Sequence, residues 1–71
     1  MKAAYELKLM LKRFETLWNE SLNGYYKNQG ELSSLSRKIC DMDLDDVYLN
    51  SHLTTTELIF YRYALLLANY K

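Results

Sequence analysis

The sequence has no proline, two glycines (Gly24 and Gly30), one cysteine, one histidine, and no net charge of either sign across its 71 residues. Each shortage excludes something. A strand-rich domain of this size needs more turn residues than two glycines supply, so the expected class is all-α. Nine bases balance nine acids, which argues against direct binding of nucleic acid, because displacing counterions needs a basic surface. Cys40 has no second cysteine to pair with, and this fits a reducing cytoplasm. A catalytic Cys40 would need His52 as its base; the plain alternative is a small, half-buried thiol. No apolar run reaches the roughly 18 residues of a membrane helix. The best candidate, residues 58–68, contains Arg62. The mixed charges Lys2, Lys8, Lys12 and Arg13 do not form a signal peptide. The expectation is a cytoplasmic protein without membrane insertion.

What is present is helical periodicity. Leu7, Met10, Leu11, Phe14, Leu17, Trp18 and Leu22 recur at steps of three and four, which predicts one amphipathic helix with a broad apolar stripe. Lys8, Lys12, Glu15, Thr16, Asn19 and Glu20 fill the other face, and Lys12 and Glu15 are spaced to pair. Asn23-Gly24 is a stop signal, since glycine takes the left-handed position after a helix without strain. Residues 27–31 read as a turn. Leu32, Leu35, Ile39 and Met42 then form a narrow seam suited to one neighbouring helix. Ser33, Ser34 and Ser36 are expected on its polar side.

Asp41-Met42-Asp43-Leu44-Asp45-Asp46 resembles the start of a calcium loop. Such a loop needs glycine at position six and glutamate at position twelve. Asp46 and His52 stand there, and no metal site is expected. Asp43 or Asp45 instead caps a short helix. His52 is expected to be exposed or capping. Residues 1–30 carry five bases and three acids, a net +2, and residues 31–53 carry two bases and five acids, a net −3. That opposition favours docking of the two segments, weakened by salt. Thr54-Thr55-Thr56-Glu57 fits a capping box, and Leu53 and Leu58 fit a hydrophobic staple.

The last segment is apolar nearly all round from Leu58 to Ala68. Such a helix must be covered on more than one side. Two or three helices in so short a chain bury about 60% of the unfolded surface, and they leave part of this one bare. Phe60, Tyr61, Tyr63, Leu67 and Tyr70 are the candidate partner-binding residues, because an exposed apolar patch rich in tyrosine marks an interface. The alternative is that this helix is simply the centre of a three-helix core. No converging titratable groups suggest an enzyme, and Arg62 and Lys71 alone do not make a DNA-reading helix. No cofactor is implied. The reading is a helical hairpin, its second arm broken near residues 43–53, or a small three-helix arrangement. Its function would be protein binding, in a homo-oligomer or a hetero-complex. A phage- or plasmid-type regulator that binds another protein is the second reading.

The segment Thr56-Glu57-Leu58-Ile59-Phe60-Tyr61-Arg62-Tyr63, with the overall length and helical order, resembles the small co-chaperones of type III secretion needles (EscE-like proteins). Those are short chains of two antiparallel helices, and the acidic interruption at residues 41–46 departs from that pattern. The resemblance implies a cytoplasmic co-chaperone that joins a larger helical-repeat chaperone and helps hold a needle subunit as a monomer before export. It places the contacts at Phe60, Tyr61, Tyr63 and Leu67, and makes Phe14 and Trp18 internal packing.

Overall fold

Four helices follow one another in the computed structural model, which describes the backbone of residues 2–69 and the side chains of residues 4–69. They are α1 (Lys2–Leu22), α2 (Gln29–Asp41), α3 (Asp46–His52) and α4 (Thr55–Asn69). The described residues contain no strand. The three longer helices each pack against the other two, and α2 and α4 share the most extensive contact. The three-helix form of the expectation therefore holds, and α3 is the break in the arm.

Local sequence explains most boundaries. Gly24 ends α1 at φ +87°, a conformation that any side chain would strain. The expected turn at residues 27–31 is shorter, because α2 already starts at Gln29. Gly30 is tolerated there in the first helical turn. Asp43 has φ +49°, one of the few non-glycine types that accept that region, and it reverses the chain after α2. Asp45 rather than Asp43 caps α3, its Oδ1 accepting the Tyr48 backbone N–H at 2.8 Å. The capping box opens α4 as expected. Glu57 N–H donates to Thr54 Oγ1 at 3.2 Å, and Thr54 N–H donates to Glu57 Oε1 at 2.8 Å.

The core is built from Leu7, Leu11, Phe14 and Leu17 of α1, Leu32 and Ile39 of α2, and Tyr61 and Ala64 of α4. Leu49 of α3 and Leu53 join it, with Leu58 packed on its margin. Two expectations are corrected here. Ser36 is not on a polar face: it is fully buried, and its hydroxyl donates to the Leu32 carbonyl at 2.9 Å. The bond back along its own helix satisfies the buried hydroxyl. Leu22 is not in the core stripe but exposed, because α1 turns off into Gly24 before a neighbour can cover it.

The direction of the helices follows from the cross-contacts. Lys8, Phe14 and Trp18 of α1 meet Glu57, Phe60 and Tyr63 of α4 in the same order. These two helices therefore run parallel. Arg13 and Glu20 of α1 meet Glu31 and Asn28, so α2 runs antiparallel to α1. Among the described residues the ion pairs are Lys8–Glu57 and the two-bond Arg13–Glu31 contact, at 2.8 and 2.7 Å. Both join separate helices, and the expected Lys12–Glu15 pair is not among them.

Candidate interaction face between α1 and α4

The parallel pair α1 and α4 makes the thinnest of the three interhelical contacts, and an open groove follows it. Trp18, Phe60 and Tyr63 line it, with Phe14 fully buried beneath them. Phe14 stacks on Trp18 with centroids 5.7 Å apart, and Trp18 stacks on Tyr63 at 5.0 Å. Phe60 meets Phe14 and Tyr63 edge-on at 6.3 and 5.7 Å. Offset and edge-on pairs at these distances are favourable by about 0.5–1.5 kcal/mol each beyond burial.

Two separate depressions of different chemistry lie along this seam. Near the start of the helices it opens to about 410 Å³, and Tyr5, Leu9 and Phe60 share it with Lys8, Lys12, Glu15 and Glu57. Nearer the ends, Trp18, Tyr63, Leu66 and Leu67 enclose a notch of about 190 Å³ whose lining is almost wholly apolar. Burial pushes the Glu57 carboxyl up, but the Lys8 ammonium and the Thr54 hydrogen bonds outweigh it and hold the group below the ordinary carboxylate value. The charged depression is thus tied down at Lys8 and Glu57, whereas Lys12 and Glu15 are in no ion pair among the described residues.

The expected partner-binding residues divide. Tyr63 is 37% exposed and Phe60 and Leu67 are half-buried; the three lie along the groove. Tyr61 is corrected: only 6% of it is exposed, since its side chain turns inward to the core. Burial raises its phenol above the usual value, with Cys40, Asp43 and Asp46 adding to the effect. Tyr70 lies outside the described residues. Sequence reasoning passed over Leu66, which is 69% exposed, and Ile59, at 42%. Spacing does not single them out, because Leu58, Tyr61 and Leu65, which pack in or on the core, follow the same helical steps. Trp18 was expected to be internal; it is half-buried and forms one wall of the notch.

Other candidates hold less. His52 is exposed, stacked on Tyr48 at 4.2 Å, with Nδ1 2.9 Å from the Tyr48 carbonyl oxygen. The acids of residues 41–46 do not converge, and no group of three metal-ligating side chains occurs among the described residues. No helix of the described residues is long and apolar enough to cross a membrane. No protein-family model, curated protein or solved structure matches the chain.

Proposed function

We propose that this protein is a small protein-binding module that takes a helix of another polypeptide against the α1–α4 face. The observation that carries this reading is the apolar notch lined by Trp18, Tyr63, Leu66 and Leu67, with Tyr63 and Leu66 exposed. A fourth helix laid there would complete a four-helix bundle and cover apolar surface that the chain itself leaves in water. In its more specific form the reading is that of a cytoplasmic co-chaperone that helps keep a type III needle-type subunit monomeric. That form rests on the resemblance of Thr56–Tyr63 alone.

The test is co-expression with a needle-type subunit, followed by the mass of the complex in solution. A one-to-one or higher complex that keeps the subunit from polymerising, and that Leu66→Asp dissolves without loss of helicity, is the expected result. A subunit that polymerises equally with and without the chain removes the co-chaperone form. If Leu66→Asp and Tyr63→Asp leave binding of the subunit unaltered, the α1–α4 face is not the binding surface.

A further inference from the structure

The short helix α3 is fastened to the molecule differently from the other three. Each side-chain hydrogen bond described for it stays inside it or at its own cap. Asp45 Oδ1 accepts the Tyr48 N–H, Asn50 Nδ2 donates to the Asp46 carbonyl and Ser51 Oγ donates to the Val47 carbonyl, all at 2.8 Å. His52 Nδ1 lies 2.9 Å from the Tyr48 carbonyl oxygen, and the two rings stack on each other. Neither ion pair of the described residues reaches α3.

What attaches it is apolar and narrow. Leu49 is its buried residue, and Leu53 is buried just past its end. Val47 is 78% exposed. Beside Leu49 the packing is open: Asp46, Leu49 and Asn50 border, with Leu58, Tyr61 and Leu65 of α4, a cavity of about 350 Å³. The contact of α3 with the longer helices is accordingly marginal.

One group works against the closed position. The Tyr48 hydroxyl oxygen is cut off from solvent and has no hydrogen-bond partner among the described residues. Such a group gives up water when the helix closes and gains nothing in exchange. The joints on either side are non-helical: residues 43–45, with Asp43 at φ +49°, and residues 53–54. A seven-residue helix is too short to persist alone, so lifting off and unravelling are one event.

We infer that α3 is a strap that opens as its own unit while α1, α2 and α4 stay packed, and that the buried Tyr48 hydroxyl sets it toward opening. The open form loses the α3 wall of the cavity and uncovers the side of α4 that carries Leu58, Tyr61 and Leu65. At 100° per residue that side is distinct from the one that presents Tyr63 and Leu66 to the notch.

The experiment is amide hydrogen exchange by NMR on the whole chain, over urea concentrations below the unfolding transition. The reporters are the Leu49 and Leu53 amides, which donate to the Asp45 and Leu49 carbonyls. They are expected to exchange about tenfold or more faster than the slowest amides of α1, α2 and α4, with a shallower urea dependence, because a local opening exposes less surface than unfolding. Phe14→Leu weakens packing that the closed and open forms share. It should speed the slowest bundle amides about fivefold or more and leave Leu49 and Leu53 unchanged. Asp45→Ala removes the cap of α3 and should speed Leu49 and Leu53 about fivefold. Tyr48→Phe removes the orphaned hydroxyl and should slow them about fivefold. Reporters that share the rate and urea slope of the bundle amides overturn the inference, and so does a Phe14→Leu variant that speeds both sets alike. Exchange that Tyr48→Phe fails to slow overturns the role given to the hydroxyl.

Discussion

Lys8 and Glu57 are 49 residues apart in the chain, and the Lys8 ammonium donates to Glu57 Oε1 at 2.8 Å. The same oxygen accepts the Thr54 backbone N–H at 2.8 Å. One carboxylate thus caps α4 and fastens α4 to α1. The two roles can be separated. Glu57→Ala removes both and should destabilise the fold by about 1–2 kcal/mol. Glu57→Gln keeps a capping oxygen and loses only the ion pair, which is part-exposed and worth about 0.5 kcal/mol. Urea unfolding of both variants checks this. Equal losses would mean that the cap contributes nothing.

The pairing of carboxylates sets the acid side of the stability profile. Glu31 is held below its ordinary value by hydrogen bonding to Arg13, against the effect of burial, and Glu57 is held down by Lys8 and Thr54. Their folded values lie below the ordinary value of 4.5 that the unfolded chain keeps. Within that window the unfolded chain binds more protons, so stability is full above it and falls as pH drops through it. Tyr61 has the opposite sign at the alkaline end. Its folded value is raised by burial and by Cys40, Asp43 and Asp46, so stability is full below about pH 10 and is lost as pH rises further. Thermal melts against pH should show both slopes. Glu31→Gln should flatten the first and Tyr61→Phe the second.

Two tyrosines two residues apart on α4 should respond in opposite ways to the same change. Tyr61→Asp buries a charge among core side chains and should cost about 3 kcal/mol or more, enough to unfold so small a domain. Leu66→Asp sits at the surface and should leave helicity by circular dichroism within a few per cent of wild type, on the order of 0.5 kcal/mol, while Tyr63→Asp loses its ring contacts with Trp18 and Phe60 and should cost about 1–2 kcal/mol with the fold retained. A folded Tyr61→Asp variant would contradict the inward placement of that ring.

Ser36 gives a test of packing on the buried face of α2. Its hydroxyl bonds only to the carbonyl one turn back, so Ser36→Ala should alter stability by less than about 0.5 kcal/mol, or raise it. Ser36→Leu overfills the same space and should cost about 1–3 kcal/mol. Denaturant midpoints of the two variants decide it, and a tolerated leucine would mean that the site around Ser36 is not tightly filled.

What was legible in the sequence is what depends on near neighbours. The Thr54–Glu57 box, the Asp45 cap and the Gly24 stop each involve residues within a turn of one another, and each is present. What was not legible depends on which side of a helix meets which neighbour. Around α4 the apolar residues run almost without a break, so periodicity gives no direction, and Tyr61 could not be told from Tyr63. Ala64 and Ser36 are small residues on the inner faces of their helices. Composition treats them as neutral, and only the packing shows that both are fully buried. Leu66 was missed for the converse reason: an apolar side chain in an apolar run looks like core.

The parallel course of α1 and α4 bears on the order of events in folding. The α1–α2 hairpin closes through residues near in sequence, such as Arg13 with Glu31, whereas the α1–α4 seam must bring together residues 49 apart. Contacts of long sequence separation form late, and a thin one is the easiest to reopen. The seam that shapes the groove is therefore also where the bundle comes apart first. A helix seated across α1 and α4 acts as a clasp. Its concentration then sets how often the domain breathes, by mass action, as surely as any residue of the core.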